Sequence, residues 1–230
     1  GWRTGNVIKR GAKDGRYGYG GVTAFGYAGA WATYATKPES PVGQRVSQFR
    51  IFASKAPRQG RLELRLDGEK TGAIEMSAEV ATDVVEVVEV TDGPHKLKIR
   101  VLGGAVRLFG VSMERDEPGV IYDGIGMVGA RLKRLRNFDR EHLKRQLEFA
   151  STDMIALMFG GNSLADSTSL ERYEEGFRGG VQVFREARPQ ATCLIISPVD
   201  HGVKIRRRPR TPQRLIDMMA IQRRIAREEG

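Results

Sequence analysis

The chain has 230 residues, 40% hydrophobic and 29% charged, an ordinary globular balance with length for one large domain or two small ones. Its net charge of +10 is spread along the chain, 17 Lys/Arg against 11 Asp/Glu in residues 1–112 and 21 against 17 in residues 113–230. That spread speaks against nucleic acid, which a dense basic stripe would mark, and no run reaches the roughly 20 apolar residues of a transmembrane span.

The chain opens GWRTG, without Met or an apolar leader, and closes in a charged helical pattern, IQRRIAREEG; both ends read as cut. Seven of the 17 aromatic residues fall within the first 36 positions. Core packing of the first strands accounts for most of them, and Trp31 and Tyr34 are the candidates for stacking on a sugar ring.

From Val22 to Glu114 the pattern is β: VTAFGYAGAWATYAT, VSQFRIFAS, RLELRLDG, DVVEVVEV, HKLKIRVL and VRLFGVSME, separated by turn residues such as Asp67-Gly68 and Asp92-Gly93-Pro94. HKLKIRV alternates as a half-buried strand should. Many short strands without a helical period predict a β-sandwich or jelly roll. The boundary is expected near Arg115–Pro118, giving domains 1–114 and 115–230.

After Gly119 the period changes. GVIYD predicts a short strand, and DREHLKRQLEFA a helix with Leu143, Leu147 and Ala150 on one face. DMIALMF predicts a strand buried on both sides of a parallel sheet. Thr168-Ser169-Leu170-Glu171 opens a second helix that runs to Arg188 and stops at Pro189; TCLIIS is a strand, and Thr211-Pro212 opens a third helix. Strand and helix in alternation predict an α/β domain with a parallel sheet.

In such sheets chemistry gathers beyond the carboxyl ends of the strands. Three segments stand there: Asp123-Gly-Ile-Gly-Met-Val-Gly129-Ala, Phe159-Gly-Gly-Asn162-Ser163 and Ser197-Pro-Val-Asp200-His201. By spacing alone, Gly126 and Gly129 read equally well as a strand-to-helix turn, and Asn162 as a loop cap.

In order and wording these segments resemble the SGNH/GDSL ester hydrolases, in particular the branch of peptidoglycan and polysaccharide O-acetylesterases in which a carbohydrate-binding-module-like jelly roll is inserted between the first and second conserved blocks. YDGIGMVGA resembles the second block and FGGNS the third, with Ser163 where the family usually has an acidic residue. The resemblance implies a three-layer α/β/α core, here partial, and an oxyanion hole made by the Gly129 backbone N–H and the Asn162 side chain. It implies a nucleophilic serine in a Gly-Asp-Ser block and an Asp-x-x-His pair, neither of which lies in this chain, so residues 1–230 alone are expected to be inactive. It further implies an acylated carbohydrate or peptidoglycan-like polymer as partner, a periplasmic or secreted location, and no metal or organic cofactor. The alternative is a non-catalytic carbohydrate-binding protein with a decayed hydrolase core.

A rival alignment reads FGGNSLAD as the first block, with Ser163 as nucleophile; no Gly-x-x-Gly turn or second Gly-x-Asn follows it. Adjacent Asp200 and His201 do not match the family's pair; His201 reads as loop structure and Asp200 as part of the cleft rim. His95, in a strand, and His142, on a solvated helix face, read as structural. The one cysteine, Cys193, excludes a disulfide framework and reads as a small core hydrophobe. Lys204-Ile-Arg-Arg-Arg-Pro-Arg210 reads as a solvated loop, with an anionic-polymer lip and a nucleic-acid contact as alternatives.

Overall fold

A computed structural model describes residues 1–200, 202–205 and 208–229, with backbone only at 204, 205, 208 and 209. Contacts divide the chain into two compact units, Gly1–Ile125 and Gly126–Gly230.

The first unit is built of β1 (Trp2–Asn6), β2 (Val22–Tyr27), β3 (Trp31–Ala35), β4 (Val46–Lys55), β5 (Arg61–Leu66), β6 (Glu69–Glu75), β7 (Thr82–Gly93), β8 (Lys96–Gly103) and β9 (Ala105–Glu114). They form a five-stranded sheet, β1-β2-β9-β4-β7, and a four-stranded sheet, β3-β8-β5-β6. Every pairing within them is antiparallel. Period-two alternation decides what is buried. In β8, Leu97, Ile99 and Val101 are fully buried, while Lys96 and Arg100 are exposed on the other side. Phe49, Ile51 and Ala53 of β4 join them from the other sheet, giving the core of a β-sandwich. Each buried aliphatic or aromatic side chain contributes about 1.5–3 kcal/mol of transfer free energy.

The sequence pattern gave no sign of β1 or β6. Both are short and polar (WRTGN, EKTGAIE), and each is a strand because a neighbour supplies its ladder, β2 for the first and β5 for the second. The run from Val22 to Thr36 breaks at Tyr27–Ala30, where the Ala30 N–H returns to the Tyr27 carbonyl at 2.8 Å, and β2 and β3 enter different sheets. Arg107, only 8% exposed, holds the segment before β2 through Asp14 (2.5 and 3.0 Å) and β2 itself through Thr23 Oγ1 (2.9 Å).

The second unit contains a 3-10 turn at Leu132–Asn137, α1 (Arg140–Phe149), β10 (Met154–Met158), a 3-10 turn at Gly161–Ser163, α2 (Leu170–Ala187), β11 (Thr192–Ile196), β12 (Val203–Ile205), β13 (Arg208–Arg210) and α3 (Gln213–Glu229). Asp139 caps α1 by accepting from the His142 N–H at 2.8 Å, and Ser169 caps α2. β10 and β11 pair in parallel, Met154 opposite Thr192 and Met158 opposite Ile196, so α2 is the crossover of a β-α-β unit.

Four expectations change. GVIYD is not a strand: among the described residues no ladder receives it, and Val120 and Tyr122 are 94% and 87% exposed. DMIALMF is buried on one side only. Leu157 is covered, whereas Met154, Met158, Leu194 and Ile196 lie exposed on the opposite face of the two-stranded sheet. His142 is fully buried, because the inward face of α1 also takes in residues 142 and 146 beside Leu143 and Leu147. The basic run is not a loop throughout, since β12 and β13 pair antiparallel, Val203 opposite Arg210; Arg206 and Arg207 lie outside the described residues.

His95 shows how the ends of the four-stranded sheet are fastened. Its ring nitrogens meet Asp67 Oδ2 and the Thr91 carbonyl, each at 2.7 Å, and Asp67 Oδ1 accepts from the Lys96 N–H at 2.8 Å. The Asp67 hydrogen bond raises the imidazole pKa above its usual 6.5. A raised histidine stabilises the fold below its unfolded pKa, and that contribution is lost as pH rises through the folded value. A proton NMR titration of the full chain should therefore give His95 a pKa above 6.5, falling back in Asp67→Asn; an equal pKa in the two proteins would dissolve the clasp.

Candidate active site

The second-block segment forms a β-turn in which the Ala130 N–H reaches the Met127 carbonyl at 3.1 Å. Gly129 is the third residue of that turn, with φ +71°, a conformation costly for any side-chain-bearing residue. Its N–H has no acceptor among the described residues, and the residue is exposed.

The third-block segment leaves the carboxyl end of β10. Gly160 adopts φ +131°, and a Cβ there would stand 3.0 Å from both Pro198 Cγ and Gln222 Nε2. Only glycine fits, and the contact shows that the loops following β10 and β11 lie side by side. Asn162 follows in the 3-10 turn, exposed, and its Nδ2 donates to the Ala130 carbonyl at 3.0 Å. One amide hydrogen is spent on that bond; the other remains available. Gly129 and Asn162 are thus brought to one place, the donors separated by about two peptide units and one hydrogen bond.

Two residues that the motifs did not single out hold this arrangement. Arg131 makes a two-pronged ion pair with Asp166 (Nε to Oδ2 2.6 Å, Nη2 to Oδ1 2.5 Å), and its Nη1 donates to the Gly129 carbonyl at 3.2 Å. Beside Arg131, the Asp166 carboxyl is held below the usual carboxylate range. Below the loop, the buried Gln222 donates to the Phe159 carbonyl (2.9 Å) and to the Tyr173 hydroxyl (2.8 Å). Burial pushes that phenol up to about 12, so it stays protonated. A cavity of about 20 Å³ beside Ser163, Asp166 and Tyr173 has room for about one water.

The other candidates separate from this site. Ser163 is 7% exposed, buried within the 3-10 turn. Asp200 accepts from Thr211 Oγ1 at 3.0 Å, tying the end of β11 to the start of α3; His201 lies outside the described residues. Cys193 is half-buried, and burial pushes its thiol pKa up, away from reactivity. Trp31 and Tyr34 belong to the first unit and stand three residues apart on β3, so they point to opposite faces and cannot form one platform. Trp31 is 58% exposed with Lys98 Nζ 4.7 Å from its ring, whereas Tyr34 packs on the core.

No protein-family model and no curated protein matches the chain. Solved structures do. A peptidoglycan O-acetylesterase overlays with TM-score 0.72 at 19% identity, covering 100% of this chain and 61% of that one. The likeness is one of fold. The chain thus spans about three fifths of that esterase's length. A family two carbohydrate esterase from Cellvibrio japonicus gives TM-score 0.35 at 11% identity, covering 100% of this chain and 86% of its own. The C-terminal CBM6 of LamC from Zobellia galactanivorans gives 0.28 at 18%, covering 40% and 77%.

The Arg131–Asp166 pair should be measurable as stability. The side chains are 33% and 17% exposed, so solvent screens part of the attraction. Asp166→Asn should cost about 1–2 kcal/mol in urea unfolding at pH 7. A lowered carboxylate stabilises above its unfolded pKa of 3.8, and the difference should close as pH falls through the folded value. A deficit that persists unchanged at low pH would mean that the variant acts through packing instead.

Proposed function

We propose that this chain carries the oxyanion-holding part of an SGNH-type carbohydrate O-acetylesterase, together with a carbohydrate-binding-like β-sandwich. The single observation that carries the reading is the placement of the Asn162 amide on the Ala130 carbonyl, one residue from the unpaired Gly129 N–H. Likeness of fold to a peptidoglycan O-acetylesterase supports it.

The chemistry follows from charge. When a serine oxygen attacks an acetyl ester, the carbonyl π electrons move onto oxygen, and a tetrahedral oxyanion forms. A histidine takes the serine proton and returns it to the leaving sugar hydroxyl; water then releases acetate by the same route, with an aspartate orienting the imidazole. In this reading Gly129 and Asn162 meet the oxyanion with N–H groups already fixed in place, so little reorganisation is needed as charge develops. Arg131 and Asp166 hold the two segments together, and Ser163 stays out of the reaction.

In an enzyme that carries this sequence with its serine and histidine, Asn162→Ala should lower kcat on an acetyl ester about 10²–10³-fold with KM little changed. Residues 1–230 alone should not react with a serine-directed fluorophosphonate. Unchanged turnover in a folded Asn162→Ala protein would remove Asn162 from the mechanism, absence of any turnover in the whole protein would favour the non-catalytic binding protein, and labelling mapped to Ser163 would restore the rival alignment.

A further inference from the structure

The outer face of the four-stranded sheet breaks a rule that sheets usually keep. Register places Arg65 directly opposite Lys98 on one side and directly opposite Lys70 on the other, so one cross-strand row reads Thr33, Lys98, Arg65, Lys70. Like charges at directly opposed positions destabilise a sheet. The adjacent row reads Trp31, Arg100, Glu63, Ala73. Glu63 offsets part of the repulsion, 3.0 Å from Arg65 and 3.7 Å from Lys70, and Glu75 lies 3.5 Å from Arg61. The β8 cations Lys96, Lys98 and Arg100 make no ion pair among the described residues.

Trp31 lies at the end of this cationic field. It is a large apolar ring with 58% of its surface exposed, opposite Arg100 and within 4.7 Å of the Lys98 ammonium. The Trp2 indole N–H binds the Trp31 carbonyl at 2.8 Å, a bond that does not involve the Trp31 side chain. Opposed cations on three strands, beside a half-exposed indole ring, form a surface complementary to a ligand that is anionic and has a flat apolar face. Local violation of stability rules of this kind marks binding surfaces.

We propose that the outer face of β3-β8-β5-β6 binds an anionic glycan, with Trp31 stacked on a sugar ring and Lys98, Arg100, Arg65 and Lys70 receiving carboxylates. Arg100 can bind a carboxylate with two parallel N–H groups, and the lysines act as point charges. A sugar ring offers an apolar C–H face to the indole, which a simple polyanion does not. The choice of a glycan rests on the carbohydrate reading above, and the cationic field makes that glycan acidic.

The test is binding of the full chain to polygalacturonate, with hydroxyethyl cellulose, polyglutamate and single-stranded oligothymidylate as comparisons. We expect polygalacturonate to bind with an affinity that falls as salt rises, and the neutral glycan to bind far more weakly. Lys98→Glu should weaken polygalacturonate binding at least about tenfold at low ionic strength, and Trp31→Ala at least about fivefold, with unchanged circular dichroism. Equal binding of hydroxyethyl cellulose, binding of polyglutamate or oligothymidylate as tight as that of polygalacturonate, indifference to both substitutions, or no binding at all would each overturn the proposal. None of these outcomes touches Asn162, so the esterase reading stands or falls separately.

Discussion

The second unit depends on one clasp. Gly129 and Asn162 come from segments more than 30 residues apart, and neither segment is a regular helix or strand where it carries its donor. Their meeting is enforced by the Asn162 bond to the Ala130 carbonyl and by the Arg131–Asp166 pair alongside it. A charge-assisted, two-pronged bond fixes angle as well as distance. That matters because an oxyanion hole works only if its donors are already aimed when charge appears. Gln222 adds a second fastening by pinning the Phe159 carbonyl from α3. The sheet supplies the frame: β10 and β11 run in parallel register, so their following loops emerge together, and Gly160 lets them approach to contact.

The sequence told much of this and missed some of it for physical reasons. HKLKIRV became β8 with its predicted alternation, because sandwich strands have one wet and one dry face. The second helix opens one residue later than its capping-box pattern, at Ser169 instead of Thr168, and the cap at Asp139 was not read from the sequence. β1 and β6 were illegible because their strand state comes from neighbours, not from their own residues. GVIYD misled for the converse reason, having strand composition but no ladder to join. His142 misled because polarity was taken to mean exposure, although the buried side of α1 is wider than its leucine stripe.

At the site, Gly129 and Asn162 were singled out by resemblance to the family's blocks, since spacing alone read equally well as a turn and a loop cap; the residues that hold them could not be read at all. Arg131 lies two positions after Gly129 and Asp166 four after Asn162, and nothing in either local pattern says that they pair. A cation just beyond a glycine turn, with an acid one helical turn beyond an asparagine, is a signal that could be sought elsewhere. Trp31 and Tyr34 give the opposite lesson. Odd separation on a strand was enough to deny them a common face once β3 had been recognised. The first unit's surface chemistry, with opposed cations on three strands, emerges only with register in hand.

The central claim is that the Gly129 N–H and the Asn162 side-chain N–H address one negatively charged oxygen. Nitrogen-15 NMR of the full chain, titrated with methylphosphonate as a small oxyanion, tests it most directly. The account predicts that the Gly129 backbone and Asn162 Nδ2 resonances shift together along one saturation curve, and that Asn162→Ala weakens the response at Gly129. Shifts at only one of the two, or two unrelated midpoints, would contradict a shared oxyanion hole.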